Sequence, residues 1–273
     1  MIFNRLYRFN NTLTMTTITF NKFQGTGNDF IMIDNRYSQI DPSDNKLINK
    51  LCDRRFGIGA DGLILISNHS ELDFEMKYFN SDGNLGSMCG NGGRCTAQFA
   101  FRSGIAGKNQ RFLAFDGIHE AAINDEIVRL QMSDVAKPQI IDENYFLNTG
   151  SPHYVIFTKD IDNIEVSVEG KKIRNSPSFA PGGTNVNFVE LTGNGIYVRT
   201  YERGVEDETL SCGTGVTASA IASVLKEYFD TNSVNIRTKG GNLSVEMKVS
   251  KDKITGVWLS GPATFVFKGK IDV

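Results

Sequence analysis

The chain is short of nearly everything that would announce a specialised class. It has only four cysteines, Cys52, Cys89, Cys95 and Cys212, in 273 residues. That is too few for the disulfide framework of a secreted scaffold. No apolar run approaches the ~20 residues needed to span a bilayer, and no secretory core precedes the fold. A soluble protein of the reducing cytoplasm is predicted. Lys and Arg (29) nearly balance Asp and Glu (31), for a net charge of −2. Such a balance offers no electrostatic footprint for nucleic acid or an anionic membrane. With three histidines and no His pair near the cysteines, a zinc site is disfavoured. No Walker, dinucleotide or pyridoxal-lysine pattern is present, so no cofactor and no metal are expected.

What remains is ordinary globular composition, 40% hydrophobic and 22% charged, with most of the chain in strand-like alternation. ITF (18–20), FIMID (30–34), LILIS (63–67) and FEMKYF (74–79) read as strands. HEAAINDEIVRLQM (119–132) reads as a hairpin turning at Asn124-Asp125. HYVIF (153–157), NVNFVEL (185–191) and IYVRTYE (196–202) continue the style, as do VNIRT, LSVEMKV, ITGVWL and ATFVFKG. Three helices are expected. One covers 43–56 behind an Asp-Pro-Ser start. The other two follow glycine-rich cysteine motifs, ending near Gly104 and before Asp230. Residues 1–14 read as an extension outside the fold.

Those cysteine motifs, MCGNGGRC (88–95) and SCGTGVTA (211–218), lie 123 residues apart, and the same offset relates much else. Gly90 and Gly92 fall on Gly213 and Gly215. Tyr78 falls on Tyr201, Phe56 on Phe179, Gly27-Asn28 on Gly150-Ser151, and Leu65-Ile66 on Phe188-Val189. Two similar domains with a boundary near Met132 are inferred, with the cysteines facing one another across a cleft.

A cysteine at a helix N-terminus meets unpaired N–H groups and the positive end of the helix dipole, which favour its thiolate. Glycines beside it let the same N–H groups approach a carboxylate. Two such sites suit proton transfer at one carbon: a thiolate removes an α-proton from one face while a thiol protonates the other. Polar residues at strand ends gather nearby: Asn28, Asn80, Asn185, Glu202 and Arg203. Arg203 suits a second carboxylate, Glu202 an ammonium, and His153 a neighbouring thiol. Cys52 and Cys95 read as small hydrophobes, Cys95 lying roughly 240° around the helix from Cys89. A thiol-redox pair is the rival reading.

In GTGNDF (25–30), FGIGADG (56–62), FNSDG (79–83), MCGNGGRC, GSPH (150–153), TNVNF (184–188), YERG (201–204) and SCGTG (211–215), the chain resembles the diaminopimelate epimerases from about Thr17 onward. The resemblance implies an α+β fold of two pseudo-symmetric domains, each a barrel-like, mostly antiparallel sheet around a central helix. The first would hold 15–132 with 262–273, the second 133–261. It implies a cofactor-independent isomerase, a homodimer, that interconverts LL- and meso-diaminopimelate in lysine and peptidoglycan-precursor synthesis. Cys89 and Cys212 would be the acid/base pair, tuned by Glu202 and His153. Gly90, Asn91, Gly213 and Thr214 would hold the reacting carboxylate, with Asn28, Asn80, Asn185, Glu202 and Arg203 around the rest of the substrate. Ser151 and Gly62 depart from the Asn and Gln found there in some members. A racemase of other amino-acid specificity is the alternative within the same fold.

Overall fold

The computed structural model describes residues 16–250 and 252–273; the 1–14 extension expected from sequence lies outside them. The first half forms β1 (Thr17–Gly25), β2 (Asn28–Asp34), α1 (Asn45–Cys52), β3 (Gly62–Ser67), β4 (Phe74–Asn80), α2 (Gly90–Arg102), β5 (Asn109–Ala114), β6 (Gly117–Asn124) and β7 (Ile127–Gln131). The second forms β8 (Val135–Ala136), β9 (Gln139–Ile141), β10 (Asn144–Asn148), β11 (Pro152–Phe157), α3 (Val166–Arg174), β12 (Asn185–Thr192) and β13 (Gly195–Glu202). It continues with β14 (Asp207–Thr209), α4 (Gly213–Leu225), β15 (Ser233–Thr238), β16 (Gly241–Val249), β17 (Lys253–Pro262) and β18 (Thr264–Asp272).

The 123-residue offset holds in three dimensions. It carries α2 onto α4 at both ends, and it repeats the pairing pattern. β2–β3 and β11–β12 are parallel, as are β4–β5 and β13–β15. The other ladders, including β3–β4 against β12–β13, are antiparallel. The two halves share one hydrogen-bonded path because β17 pairs with β16 on one side and β7 on the other. After β17 the chain returns to pair β18 with β1.

Each half wraps its sheet around one helix. The strand LILIS lacks alternation because both its faces are covered. Ile64 and Ile66 pack with α2 residues such as Phe99, while Leu63 and Leu65 pack with Ile48 and Leu51 of α1. In α2 and α4 the first eleven residues are buried. α4 meets this enclosure with small side chains, and in both helices hydroxyls bond back to the preceding turn: Thr96 to Gly92 O, Thr217 to Gly213 O, Ser219 to Gly215 O.

The expected helix over 43–56 is shorter, Asn45–Cys52, because the Asp44 carboxylate accepts from Leu47 N and caps it one residue inside Ser43. The helix expected to run on to just before Asp230 ends at Leu225, with Lys226 at its C-cap. Helix α3 was not foreseen, since VSVEGKKIR carries a glycine in its middle. Packing explains that glycine: a Cβ on Gly170 would lie 2.3 Å from Tyr201 Cβ.

The two central helices meet head to head. A Cβ on Gly213 would lie 3.1 Å from Gly90 Cα and 3.3 Å from Asn91 N. Gly213→Ala is therefore expected to cost about 1–3 kcal/mol, measured by urea unfolding. Unchanged stability would contradict the close approach.

Candidate active site

Cys89 and Cys212 are the N-caps of α2 and α4, with nearly the same backbone: φ −114°, ψ 118° and φ −114°, ψ 112°. A strand-to-helix turn that leaves the cap extended aims each sulfur off the helix end. Because the helix starts abut at Gly90 and Gly213, the first-turn amides of both converge on one place. Cys212 is buried and Cys89 half-buried, and all four cysteines are free.

A polar side chain two residues after each cysteine joins the hydrogen-bond network around it, Asn91 on the first side and Thr214 on the second. On the first side, Cys89 Sγ accepts from Gly92 N (3.4 Å) and donates to Asn28 Oδ1 (3.6 Å). Asn91 Nδ2 reaches the same Asn28 oxygen (3.4 Å) and also Ser211 O (3.0 Å), one residue before Cys212. On the second side, Cys212 Sγ lies 3.4 Å from Thr214 Oγ1, which bonds His153 Nε2 at 2.9 Å. The other ring nitrogen of His153, Nδ1, bonds Asn187 Oδ1 (2.9 Å), and Asn187 Nδ2 donates to Thr200 Oγ1 (2.9 Å). With the amide so assigned, His153 carries its proton on Nδ1 and accepts from Thr214. His153 thus touches Cys212 through one hydroxyl and not directly.

Helix N-termini alone would lower both thiol pKa values, and the structure shows the opposite balance. Burial pushes Cys89 up to about 11, with Glu202 adding to it against the Gly92 and Asn91 amides. Burial and then Glu202 raise Cys212 further. Glu202 is itself raised by burial, against the Thr209 hydroxyl and the Cys212 thiol beside it. Desolvation outweighs the helix ends. Cys52 and Cys95, each pushed up to about 12 by burial, pack in the cores as the sequence suggested.

A diaminopimelate epimerase family profile matches residues 20–137 and 145–266. A diaminopimelate epimerase of Flavobacterium psychrophilum is 51% identical, covering 92% of this chain and 98% of its own. That of Aquifex aeolicus is 41% identical over 92% of this chain and 96% of its own. The chain belongs to the diaminopimelate epimerase family. Two solved structures share the fold at low identity: a PhzF-family phenazine biosynthesis protein of Bacillus anthracis (TM-score 0.76, 12% identity, 95% of this chain and 99% of that one) and a hydroxyproline epimerase of Agrobacterium vitis (TM-score 0.69, 14% identity, 94% and 93%). The fold class read from the resemblance, two α+β domains of mostly antiparallel sheet, stands on these likenesses.

Around the cysteines of this family member, Asn28 and Asn91 meet as described, and Gly90 and Gly213 form the helix contact. Asn185 has both amide ends engaged: Nδ2 donates to Ser151 Oγ (2.9 Å) and Pro152 O (2.8 Å), and Oδ1 accepts from Arg203 N (2.8 Å). It holds Ser151 and the Arg203 backbone in place. The exposed Arg203 guanidinium touches Gly182 O at 3.3 Å. Asn80 ends β4, exposed.

Tyr78, not singled out from the sequence, stands on the same face of β4 as Met76, which packs against α2 at Thr96, and burial raises its hydroxyl pKa, with Cys89 and Glu202 adding to it. Its ring is gripped by glycines. A Cβ on Gly62 would lie 2.5 Å from Tyr78 Cε2, and one on Gly86 2.6 Å from Cδ1. That explains the glycine at 62: the tyrosine ring occupies the room a larger side chain would need. Arg94 and Asp61 were also missed, although both lie inside the motifs quoted above.

His153 yields a pH test. Burial holds its pKa down at about 4, from 6.5 when exposed, against the Asn187 bond. The unfolded chain then binds the proton first as pH falls. Stability should be full above pH 6.5 and decline towards pH 4 by on the order of 3 kcal/mol. In urea unfolding at pH 4.5 to 7, His153→Gln should flatten that slope. An unchanged slope would assign it elsewhere.

Proposed function

We propose that this chain interconverts LL- and meso-2,6-diaminopimelate by a two-base thiol mechanism, serving lysine and peptidoglycan-precursor synthesis. The observation that carries it is the head-on meeting of two helix starts, each capped by a cysteine. A carboxylate seated there receives N–H groups from both helices, and its α-carbon lies between two sulfurs. One thiolate takes the α-proton and becomes a thiol. The electron pair passes into the carboxylate, where the helix amides stabilise the doubly charged oxygens. The opposing thiol gives its proton to the other face and becomes the thiolate. Configuration inverts, and the pair ends with its protonation exchanged.

Both thiols are raised in the free chain, so a base must be made available on binding. Glu202 supplies the means. Its charge is among the causes that raise both sulfurs. A substrate ammonium paired with Glu202 cancels that charge and eases formation of a thiolate. The thiols then titrate as a coupled pair. Arg203 suits the distal carboxylate as a bidentate donor, with Asn28, Asn80 and Asn185 shaping the pocket. His153 keeps the Thr214 hydroxyl oriented beside Cys212. Among the described residues no group of three or more His, Cys, Asp or Glu is arranged to hold a metal, and no helix is long and apolar enough to cross a membrane. Two domains, 15–132 with 262–273 and 133–261, and a cytoplasmic homodimer complete the reading; light scattering tests the dimer.

Cys89→Ala and Cys212→Ala should each lower epimerase turnover by at least about 10³-fold, since each removes one of the two proton carriers. Chiral chromatography of LL- and meso-diaminopimelate measures it. Full activity in either variant would end the two-base account, and activity on another amino acid alone would move the specificity to a different racemase.

A further inference from the structure

Arg94 is fully buried, yet none of its hydrogen-bond partners is a carboxylate. Nη1 donates to Gly90 O (3.1 Å), Nη2 to Asn91 Oδ1 (3.0 Å) and Thr26 Oγ1 (3.4 Å), and Nε has no partner. A buried cation without a counter-charge is costly, so its placement needs a reason. The reason lies in direction. A guanidinium can only donate, so Asn91 must turn its oxygen towards Arg94 and its Nδ2 outwards. That Nδ2 reaches Asn28 Oδ1 and Ser211 O. Asn28 must then turn its own Nδ2 the other way, where it donates to Asp61 Oδ2 at 2.6 Å. A carboxylate can only accept, so Asp61 demands the same orientation from its end. Arg54, bound to Asp61 Oδ1 at 2.7 Å, holds that carboxylate in turn.

We propose that Arg94 and Asp61 are positioning residues, the donor-only and acceptor-only ends of a hydrogen-bond chain that fixes the amides of Asn91 and Asn28. Both amides have two nearly isosteric orientations, and the two ends select the same one. The outcome is that Asn28 Oδ1 faces Cys89 Sγ. An oxygen there accepts the S–H proton, so the chain holds Cys89 as a thiol in the free enzyme. The same chain pins Asn91 to Ser211 O and so keeps the second cysteine's loop against the first helix. The assignment rests on the epimerase reading of the two cysteines.

The test is a double-mutant cycle read in kcat, KM and thermal unfolding. Asp61→Asn and Arg94→Gln each replace a one-way partner by an amide that serves in either direction. Each should lower kcat roughly tenfold, with KM changed less than about threefold. The double variant should fall no further than the worse single, because both break one chain. Arg94→Lys keeps a donor-only cation and should retain more turnover than Arg94→Gln. Unchanged kcat in Asp61→Asn, or a double variant that loses the product of the single effects, overturns the chain, and the Asp61 result decides even where Arg94→Gln does not fold. Absence of epimerase activity in the wild-type protein would instead overturn the functional reading.

Discussion

Two helix N-termini brought together with nothing between their first glycines is an electrostatically unfavourable contact. Each end carries about half a positive charge, and the amides of each first turn lack helical partners. The rest of the molecule makes this approach possible. Small residues along α4 allow the helix to be enclosed, the duplicated sheet encloses each helix, and β17 stitches the two sheets together. An anion placed between the ends relieves the repulsion and satisfies the amides. The free protein is in this sense pre-organised for a carboxylate, and further so for the extra charge that develops on it when the α-proton leaves.

The thiols stand in a different balance from the carboxylate. Helix ends and amide donors favour thiolate, burial opposes it, and burial wins at both sulfurs. The proposed two-base reaction, with one acid and one base of the same chemical type, gains from this. In the proposed reaction Glu202 is the group whose charge the substrate ammonium cancels. The two halves reach their sulfurs by different routes, Asn28 through an amide chain and His153 through the Thr214 hydroxyl. The repeated backbone therefore carries unlike chemistry beside its two sulfurs.

Much of this was legible in the chain. The offset of 123 residues taken from the two cysteines also relates the helices behind them and the strands leading into them, because a repeat preserves the lengths of elements as well as their glycines. The same offset, applied to α1, falls on α3, which propensity hid behind Gly170. That glycine answers to a tyrosine ring 31 positions away in sequence, a contact no local pattern encodes. Tyr78, Arg94 and Asp61 were hidden for a related reason. Read singly they are a strand aromatic, a helix arginine and a loop acid. Their meaning lies in which partner can donate, which can only accept, and where a Cβ would not fit. The thiol pKa values were misjudged from sequence because burial, the dominant cause, is a property of the assembled halves.

The central claim is that two sulfurs act on opposite faces of one carbon, and heavy water tests it most directly. LL-diaminopimelate would be turned over by the reduced protein in deuterium oxide and followed by proton NMR at early times. The account expects deuterium at the inverted α-carbon of the meso product, while unreacted LL substrate keeps its α-proton. Product that retains the original proton, or LL substrate that exchanges as fast as product forms, would mean that a single base serves both faces.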